Sequence, residues 1–338
     1  MEIELKELGK ITTGNTPSKK DERYWNSADI CFIKPDGIAD EGITLINDSS
    51  EYMSENARGK ARVVSKDAVF VTCIGSIGKV GITDSGDYAF NQQINVIEPN
   101  AKVLPRYLAY TLLYSKPRLI AIANAPVVPI INKTQFSEFV VNIEEDKTKQ
   151  AEIVCILDKL TGIIEHRKKE LESFDELIKA RFVEMFFDKG YPVLGWNDVF
   201  NTTTGKLDSN AMVEDGEYPF FTCAKEVFRI DKYSFDQEAL LLAGNNAAGK
   251  YDVKYYKGKF NAYQRTYVLG LKQDWSYRLF QYQLEDKLVY LQQQSLGGLT
   301  KYLTIKILGD LSFIIPPMEQ QIEFEKFVAQ VDKSKVVA

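Results

Sequence analysis

The clearest pattern in the chain is a run of apolar residues that recur in alternating steps of four and three. The apolar positions of this run are Ile153, Leu157, Leu160, Ile164, Leu171, Phe174, Ile178 and Met185. A period of 3.5 residues predicts an α-helix with a coiled-coil seam, and we expect it over residues 146–188. Arg167 and Arg181 are the only polar residues in the seam. At 1.5 Å per residue the helix would span on the order of 60 Å, enough to hold two domains apart at a fixed distance.

Shorter apolar runs on both sides of this helix predict strands and further helices. Strands are predicted at residues 67–73, 88–97, 238–243 and 257–269, where β-forming residues are bounded by glycine or polar residues. Helical spacing occurs at Pro105–Tyr114 and Ser276–Leu291. Pro105 suits a first helical turn, where its missing N–H has no intrahelical partner. The pattern therefore predicts an α+β fold.

Most of these predicted elements occur twice. Gly78-Lys79 returns as Gly249-Lys250 and Gln150 returns as Gln321, both 171 residues later (249 − 78 and 321 − 150). A repeat of this length exceeds the roughly 20–50 residues of a solenoid unit, so it indicates a duplicated domain. We divide the chain into a first domain at 1–145, the long helix at 146–188, a second domain at 189–316 and the start of a second helix at 317–338.

The second helix repeats the beginning of the first. Phe324, Val328 and Val331 take the places of Ile153, Leu157 and Leu160 in the seam, but only about two heptads are present against nearly five in the first helix. We therefore expect a truncated second helix. The rest of the seam is predicted to be a subunit interface, because so many apolar side chains cannot face water.

The composition is that of an ordinary globular protein. The 338 residues carry a net charge of −5, and the length suggests about two domains. No apolar run approaches the roughly 18 residues needed to span a membrane, and the charged N-terminal residues do not resemble a signal peptide. The four scattered cysteines and the single histidine lack the spacing of a metal site. We expect a cytoplasmic protein with free thiols, no metal and no membrane partner.

The acidic balance taken alone argues against nucleic-acid binding. Phosphate contact depends on local basic patches, however, and partner chains can add to them. The net charge therefore does not exclude a nucleic-acid-binding protein.

No catalytic motif is convincing. Gly244–Lys250 matches the phosphate-binding pattern GxxxxGK, but Tyr251 follows where magnesium binding requires Ser or Thr, and the next residues favour a strand instead of a helix. His166 lies on the outer face of the long helix, so no Ser–His or Cys–His relay is expected. Ile315–Met318 resembles the Asn/Asp-Pro-Pro-aromatic motif of DNA amino-methyltransferases only superficially. We predict that the chain is not catalytic by itself.

Hydrogen-bonding side chains among glycines and aromatic residues are the remaining candidates. Asn91–Gln93 and Asn261–Arg265 occupy equivalent places in the two copies. Asn and Gln pair with adenine and Arg with guanine, while Thr, Asn and Lys suit phosphate contacts. The predicted DNA-binding residues are Thr13, Asn15, Lys34, Ser76, Lys79, Asn91, Gln92, Gln93, Thr204, Lys206, Lys225, Asn245, Asn246, Lys250, Asn261, Tyr263, Gln264 and Arg265. The alternative role of such side chains, bonding to loop backbone groups, stays open at each position.

Two globular copies, each followed by an apolar strand and a long helix that opens near a Gln, closely resemble the specificity subunit of type I restriction–modification enzymes. The residues that carry the resemblance are Leu8–Pro17, Gly75–Gly81, Phe90–Gln93, Phe139–Ile143 and Gln150–Phe186. The resemblance spans essentially the whole chain, and it rests on the order of the motifs, their duplication and the linking helix.

The resemblance implies two target-recognition domains, each reading one half of a split double-stranded DNA sequence, and a helix that acts as a spacer. Modification (methyltransferase) subunits would dock on the helical region, and restriction subunits would join them. S-adenosylmethionine, ATP and Mg²⁺ would belong to these partners, and this chain would bind no cofactor. The seam would then pack on a modification subunit, on a second copy of the chain or on residues missing here.

The chain departs from the family pattern in two places. Family members complete the second helix to form an antiparallel intramolecular pair, and Lys206-Leu207 replaces the Thr16-Pro17 of the first copy. Two other classes remain as alternatives. One is a DNA methyltransferase or nuclease with an unrecognised active site, and the other is a scaffold whose duplicated domains bind protein instead of DNA.

Overall fold

The chain folds into two compact units, Met1–His166 (unit 1) and Arg167–Ala338 (unit 2). The structure, a computed structural model, describes residues 1–123, 128–247 and 249–337. Each unit combines antiparallel-rich sheets with short helices, and the helix at Lys147–Phe186 begins in unit 1 and ends in unit 2.

Unit 1 is built on a five-stranded and a four-stranded sheet. Its strands are β1 (Glu2–Glu4), β2 (Gly9–Thr13), β3 (Ile30–Ile33), β4 (Ile43–Ile46), β5 (Tyr52–Met53), β6 (Val63–Val64), β7 (Val69–Thr72), β8 (Val80–Thr83), β9 (Tyr88–Phe90), β10 (Ile94–Pro99) and β11 (Val140–Asn142). Its helices are α1 (Pro105–Tyr114), α2 (Lys116–Ile122), α3 (Lys133–Ser137) and the first part of α4 (Lys147–Phe186). The larger sheet has the order β2-β10-β7-β8-β4 and the smaller β5-β3-β9-β6, while β1 pairs with β11.

Unit 2 contains a six-stranded sheet. Its strands are β12 (Val193–Gly195), β13 (Phe200–Thr204), β14 (Tyr218–Phe221), β15 (Phe228–Ile230), β16 (Phe235–Ala243), β17 (Asn245–Asn246), β18 (Val253–Ala262), β19 (Thr266–Leu271), β20 (Lys301–Tyr302) and β21 (Ser312–Ile314). Its own helices are α5 (Trp196–Val199), α6 (Tyr277–Asp286), α7 (Leu288–Gln294), α8 (Ile305–Gly309) and α9 (Met318–Val337). The sheet order is β13-β19-β16-β18-β14-β15, and β12-β21 and β17-β20 form separate pairs.

The predicted duplication and the predicted long helix are confirmed. The helices α1, α2 and α3 of unit 1 recur as α6, α7 and α8 of unit 2, each beginning 172 residues later (277 − 105, 288 − 116 and 305 − 133). The terminal strand pair β1-β11 recurs as β12-β21. The predicted strand at 88–97 is two strands, β9 and β10, and the predicted helix Ser276–Leu291 is interrupted at Lys287, where α6 ends and α7 begins. The chain therefore contains two copies of the same α+β fold.

One buried glutamine fastens each copy to the helix that follows it. Gln150 is fully buried, accepts the N–H of Leu104 (2.8 Å) and donates to the carbonyls of Lys102 (3.1 Å) and Glu144 (2.7 Å). Its counterpart Gln321 accepts the N–H of Ser276 (3.0 Å) and donates to the carbonyl of Pro316 (2.8 Å). Each side chain satisfies backbone groups that burial would otherwise leave unpaired.

The apolar seam of α4 is covered in its C-terminal part. Ile178 is 6% exposed and packs with Phe324 and Val331 of α9. Arg181 bonds to Glu323 (2.7 Å) and Lys335 to Asp175 (2.6 Å), so α9 runs antiparallel to α4. Phe182 and Phe186, which the predicted seam omits, also pack on Phe324 of α9. Phe182 contacts Tyr282 of α6 as well, so both helices cover this part of α4.

The middle of the seam is open. Ile153 packs on the core of unit 1, but Leu160 is 51% exposed, Ile164 56% and Leu171 38%. The second helix thus covers only part of the first, as the sequence predicts.

We predict that Gln150→Ala lowers the free energy of unfolding of unit 1 by about 2–4 kcal/mol, because it leaves one buried N–H and two carbonyls without their partner. Urea unfolding of the full chain, followed by circular dichroism, measures the change. Lys149→Ala, at the exposed neighbouring position of the same helix, is the matched control. Equal unfolding midpoints for the two variants would show that the glutamine does not fasten the helix.

Candidate nucleic-acid interface

The strand ends of unit 1 bring four loops to one edge of the molecule. Thr13, the last residue of β2, pairs with Asn95, and Thr72, the last residue of β7, pairs with Ile94. Ile33 at the end of β3 pairs with Phe90 at the end of β9. We call the loops that follow these strands, residues 13–16, 34–36, 73–79 and 91–93, the recognition edge of unit 1. It collects all the predicted DNA-binding residues of the first copy.

The amide side chains at this edge are largely engaged within the chain. Asn15 donates to the carbonyl of Lys60 (2.8 Å) and accepts the N–H of Arg62 (2.9 Å). Asn91 is 7% exposed and bonds to both the side chain and the backbone of Gln93. These two asparagines shape the loops, so we do not retain them as base contacts.

The two lysines of this edge are also paired. The Nζ atom of Lys34 lies 2.5 Å from Glu51, and that of Lys79 lies 3.0 Å from Asp40, with only 12% of the Lys79 side chain exposed. Hydrogen bonds from Lys19 and Lys34 hold the pKa of Glu51 below its ordinary value. Ser76 and Gln92 are the predicted residues that remain exposed here.

Unit 2 builds the corresponding edge with different side chains. Thr204 pairs with Tyr267, Ala243 with Thr266 and Phe221 with Ala262. The loops after these strands, residues 204–206, 222–225, 244–250 and 263–265, form the recognition edge of unit 2, although Ala248 lies outside the described residues. The exposed predicted residues here are Lys206, Lys225, Lys250, Gln264 and Arg265. Asn261 is 2% exposed and bonds to the carbonyl of Lys232, so we do not retain it as a base contact.

A glycine permits close backbone packing at both edges. A Cβ on Gly14 would lie 2.1 Å from the carbonyl oxygen of Asn91, and one on Gly205 would lie 1.8 Å from that of Ala262. No other residue fits at such a distance. The repeated Thr-Thr-Gly of the sequence therefore presses the first loop of each copy against the loop that holds the Asn/Gln cluster.

A pocket of about 450 Å³ opens at the recognition edge of unit 2. Asn245 and Tyr263, both predicted, line it together with Asn210, Thr222 and Cys223, which the sequence analysis missed. These three come from loops whose approach depends on the tertiary fold, so no local pattern signals them. Lys301 and Tyr302, also missed, pair with Asn246 and Asn245.

The described residues of the GxxxxGK segment do not have the arrangement of a phosphate-binding loop. The N–H of Lys250 bonds to the side chain of Asn246 (3.3 Å), and the chain continues into β18 instead of a helix. In the described part of the chain, no group of three or more His, Cys, Asp or Glu side chains is arranged to hold a metal ion. The four cysteines are free, and burial raises the pKa of Cys73 to about 12. No helix within the described ranges is long and apolar enough to cross a membrane.

Comparison with known families identifies the fold. The family model for the type I restriction modification DNA specificity domain matches residues 1–173 and again residues 190–336. The chain therefore belongs to this family.

Related proteins and solved structures agree with the assignment. The chain is 40% identical over 145 residues to the Escherichia coli type I restriction enzyme EcoDI specificity subunit, covering 41% of this chain and 31% of that protein. It is 26% identical to the MjaIX specificity subunit of Methanocaldococcus jannaschii, covering 54% and 43%. The chain thus spans less than half the length of these two relatives. The E. coli EcoprrI specificity subunit is 22% identical and aligns with 98% of this chain and 88% of its own.

The fold itself recurs in solved structures. A type I restriction–modification S subunit from M. genitalium superposes with a TM-score of 0.61 at 14% identity, covering 99% of this chain and 90% of that one. A chain from a type I R-M system studied for complex assembly and conformational transition gives a TM-score of 0.52 at 13% identity, with 100% and 91% coverage.

We predict that the chain binds no nucleotide, because Tyr251 replaces the magnesium-binding hydroxyl and a strand follows the loop. Calorimetric titration of the full chain with millimolar Mg–ATP should give only heats of dilution. Lys250→Ala is the control variant, and it should give the same trace. A binding isotherm that disappears in Lys250→Ala would contradict the prediction.

Proposed function

We propose that this chain is the DNA sequence-specificity subunit of a type I restriction–modification complex. Each unit reads one half of a bipartite double-stranded target through its recognition edge. The observation that carries the proposal is the duplication of this edge, built by equivalent strand ends in two copies of a DNA specificity domain.

The chemistry of the unit 2 edge supports DNA over a protein partner. Lys206, Lys225, Lys250 and Arg265 are exposed there although the whole chain carries a net charge of −5. Clustered cations suit phosphates, and Gln264 beside Arg265 supplies the side-chain types that pair with adenine and guanine. A scaffold that binds protein would place apolar anchors at the centre of such a surface.

The two edges differ in ways that suit two different half-sites. In unit 1 Lys34 and Lys79 are paired with carboxylates, the exposed predicted residues are Ser76 and Gln92, and the exposed Arg62 bonds to the carbonyl of Thr13. In unit 2 most of the exposed predicted residues are cationic, and Gln264 donates to the carboxylate of Asp208 (3.3 Å). The two edges therefore present different side chains, and we infer that the halves of the target differ in sequence.

A helical face of unit 1 offers a docking surface for a partner subunit. Tyr107, Tyr110, Leu113 and Tyr114 of α1 form an apolar groove with Ile153 and Leu157 of α4. Leu160 and Ile164 extend it along the exposed seam. We name this surface the α1–α4 face.

The equivalent surface of unit 2 is already covered. Leu279, Tyr282, Phe324 and Val328 stand 172 or 171 residues after Tyr107, Tyr110, Ile153 and Leu157, and they pack against Ile178, Phe182 and Phe186 of α4. In unit 2 this face is therefore covered by an α-helix whose apolar residues lie about one turn apart. We propose that a helix of the modification subunit fills the α1–α4 face, with self-association as the other outcome.

The chemistry of the complex belongs to the partners in this proposal. The chain is a non-catalytic subunit, acting in the cytoplasm together with modification and restriction subunits. S-adenosylmethionine, ATP and Mg²⁺ are bound by those subunits and not by this chain.

We predict that replacing Gln264 and Arg265 by Ala relaxes recognition of one half-site only, by about 1–3 kcal/mol for each bidentate base pairing that the substitution removes. The measurement is binding of the complex with the modification subunit to duplexes in which one half-site at a time is randomised.

The matched control replaces Lys272 and Gln273, an exposed cation and amide at the opposite end of β19, by Ala. It should leave both half-sites intact. Loss of specificity at both halves, or at neither, in the Gln264 and Arg265 variant would refute the division of recognition between the units.

We predict that Leu160→Asp with Ile164→Asp abolishes docking on the α1–α4 face, since burying each aliphatic side chain contributes about 1.5–3 kcal/mol and a buried unpaired carboxylate is costly. Both residues are exposed, so the fold of unit 1 should survive. Light scattering of the chain alone and mixed with the modification subunit measures assembly.

Lys159→Asp with His166→Asp, at the outward heptad position of the same helix segment, is the charge-bearing control and should assemble normally. A double variant at Leu160 and Ile164 that assembles like the wild type would exclude this face as an interface.

A further inference from the structure

We propose that unit 2 inserts Leu299 as an apolar wedge between two stacked base pairs of the half-site that it reads. This inference rests on the proposed function, because it takes double-stranded DNA as the partner of the unit 2 edge. It assigns a role to the hairpin Ser295–Tyr302, which lies beside that edge.

The hairpin presents Leu299 on a closed turn. Leu296 and Tyr302 exchange both backbone hydrogen bonds, at 3.1 and 2.9 Å. Gly297 adopts φ of +102°, and a Cβ there would lie 2.2 Å from the carbonyl oxygen of Thr300, so only glycine closes this turn. Leu299 is 96% exposed, the highest value of any large apolar side chain in the described ranges.

The hairpin is fixed to the recognition edge of unit 2. Its residues Lys301 and Tyr302 pair with Asn246 and Asn245, and the N–H of Leu303 bonds to the carbonyl of Gly244 (2.8 Å). The last bond has a counterpart in unit 1, from the N–H of Ile131 to the carbonyl of Cys73 (2.9 Å). The attachment is therefore part of the duplicated architecture, and it holds Leu299 next to the loop that carries Lys250.

The charge around the hairpin suits a polyanion. Residues 287–309 contain Lys287, Lys301 and Lys306 but no Asp or Glu, and residues 244–251 add Lys250 with no acidic residue. Both segments therefore carry a positive formal charge, in a chain whose net charge is −5. Lys287 packs on the ring of Phe313, so Lys301 of the hairpin and Lys250 of the adjoining loop are the lysines that can hold the phosphates flanking an opened base step.

The shape of the tip suits insertion into a narrow space. Leu299 stands alone between Gly298 and Thr300 at the tip, whereas the other exposed apolar side chains of the hairpin, Leu296 and Tyr302, lie at its base. Protein interfaces bury contiguous patches with a well-packed core. DNA-bending proteins instead insert single Leu, Phe, Ile or Met side chains between base steps, unstacking them and kinking the duplex. Unit 2 would thereby add a preference for easily unstacked pyrimidine–purine steps to its direct base contacts.

The test uses the full chain in complex with the modification subunit. The probe is a duplex carrying the sequence that the wild-type complex selects from a random pool, with 2-aminopurine placed at one position at a time in the half-site of unit 2. Fluorescent dyes at the two duplex ends report bending by energy transfer. Wild type should raise the 2-aminopurine fluorescence at one step and shorten the distance between the ends.

Leu299→Ala should abolish both signals and weaken binding roughly tenfold. The slope of log binding constant against log salt concentration should not change, because the lysines that bind phosphate are all retained. Leu299→Phe should retain both signals. Val289→Ala, at a 66% exposed apolar position on α7, is the matched control and should behave as wild type.

Wild-type fluorescence and bending in Leu299→Ala would overturn the wedge and leave the proposed function intact. A second result would also overturn the wedge. If Leu299→Ala loses assembly with the modification subunit while the 2-aminopurine signals stay unchanged, the hairpin is a protein contact. If the wild-type complex selects no sequence, the proposed function and the wedge fail together.

Discussion

The architecture depends on how each globular copy is fastened to the helix that follows it, and a single buried glutamine does this in both units. Gln150 and Gln321 each bond to the backbone at the start of α1 or α6 and to the backbone just before the helix. Glutamine is suited to this position because its side chain offers both donors and an acceptor. The helix start is thereby locked to the first helix of its own unit, so the apolar residues of α4 and α9 emerge in a defined direction.

That constraint determines which apolar surfaces are covered. In unit 2 the locked α9 and α6 form a face that the C-terminal part of α4 fills with Ile178, Phe182 and Phe186. In unit 1 the same construction yields the α1–α4 face, which stays open among the described residues. Leu160 and Ile164, about half exposed next to a tyrosine-lined groove, are the reason that we propose this face as a docking surface. The recognition edges at the strand ends differ from this apolar face, because they expose polar and cationic side chains.

The sequence alone predicts most of the fold because the responsible signals are periodic or repeated. The 3.5-residue period predicts α4, and the recurrence of Gln150 as Gln321 identifies the duplication. The 3.5-residue period does not predict the contact of Phe182 with Phe324. Two helices cover α4 from different sides, so its contacts depart from a strict heptad. The hairpin at Leu299 was also missed, since two glycines and a leucine in a loop have no distinctive pattern until their exposure is known.

The candidate site was less predictable than the fold. Residue type showed that Asn91, Asn261, Lys34 and Lys79 suit DNA contacts, yet the first two are buried and bonded within the chain and the last two face Glu51 and Asp40. These partners lie far from the lysines in sequence, so only the tertiary structure reveals the neutralisation. The reverse case also occurs, because residues that no sequence motif singles out can line a pocket when separate loops approach each other. Such residues at the unit 2 edge are Asn210, Thr222 and Cys223.

The most direct test of the account is the DNA sequence that the chain selects. The full chain with its modification subunit would be incubated with a random duplex pool, and the bound fraction would be sequenced. Two edges of different chemistry predict two short conserved blocks of unlike sequence, separated by a constant number of unspecified base pairs. A single uninterrupted block, or no enrichment over the starting pool, would contradict the claim that each copy reads its own half of the target.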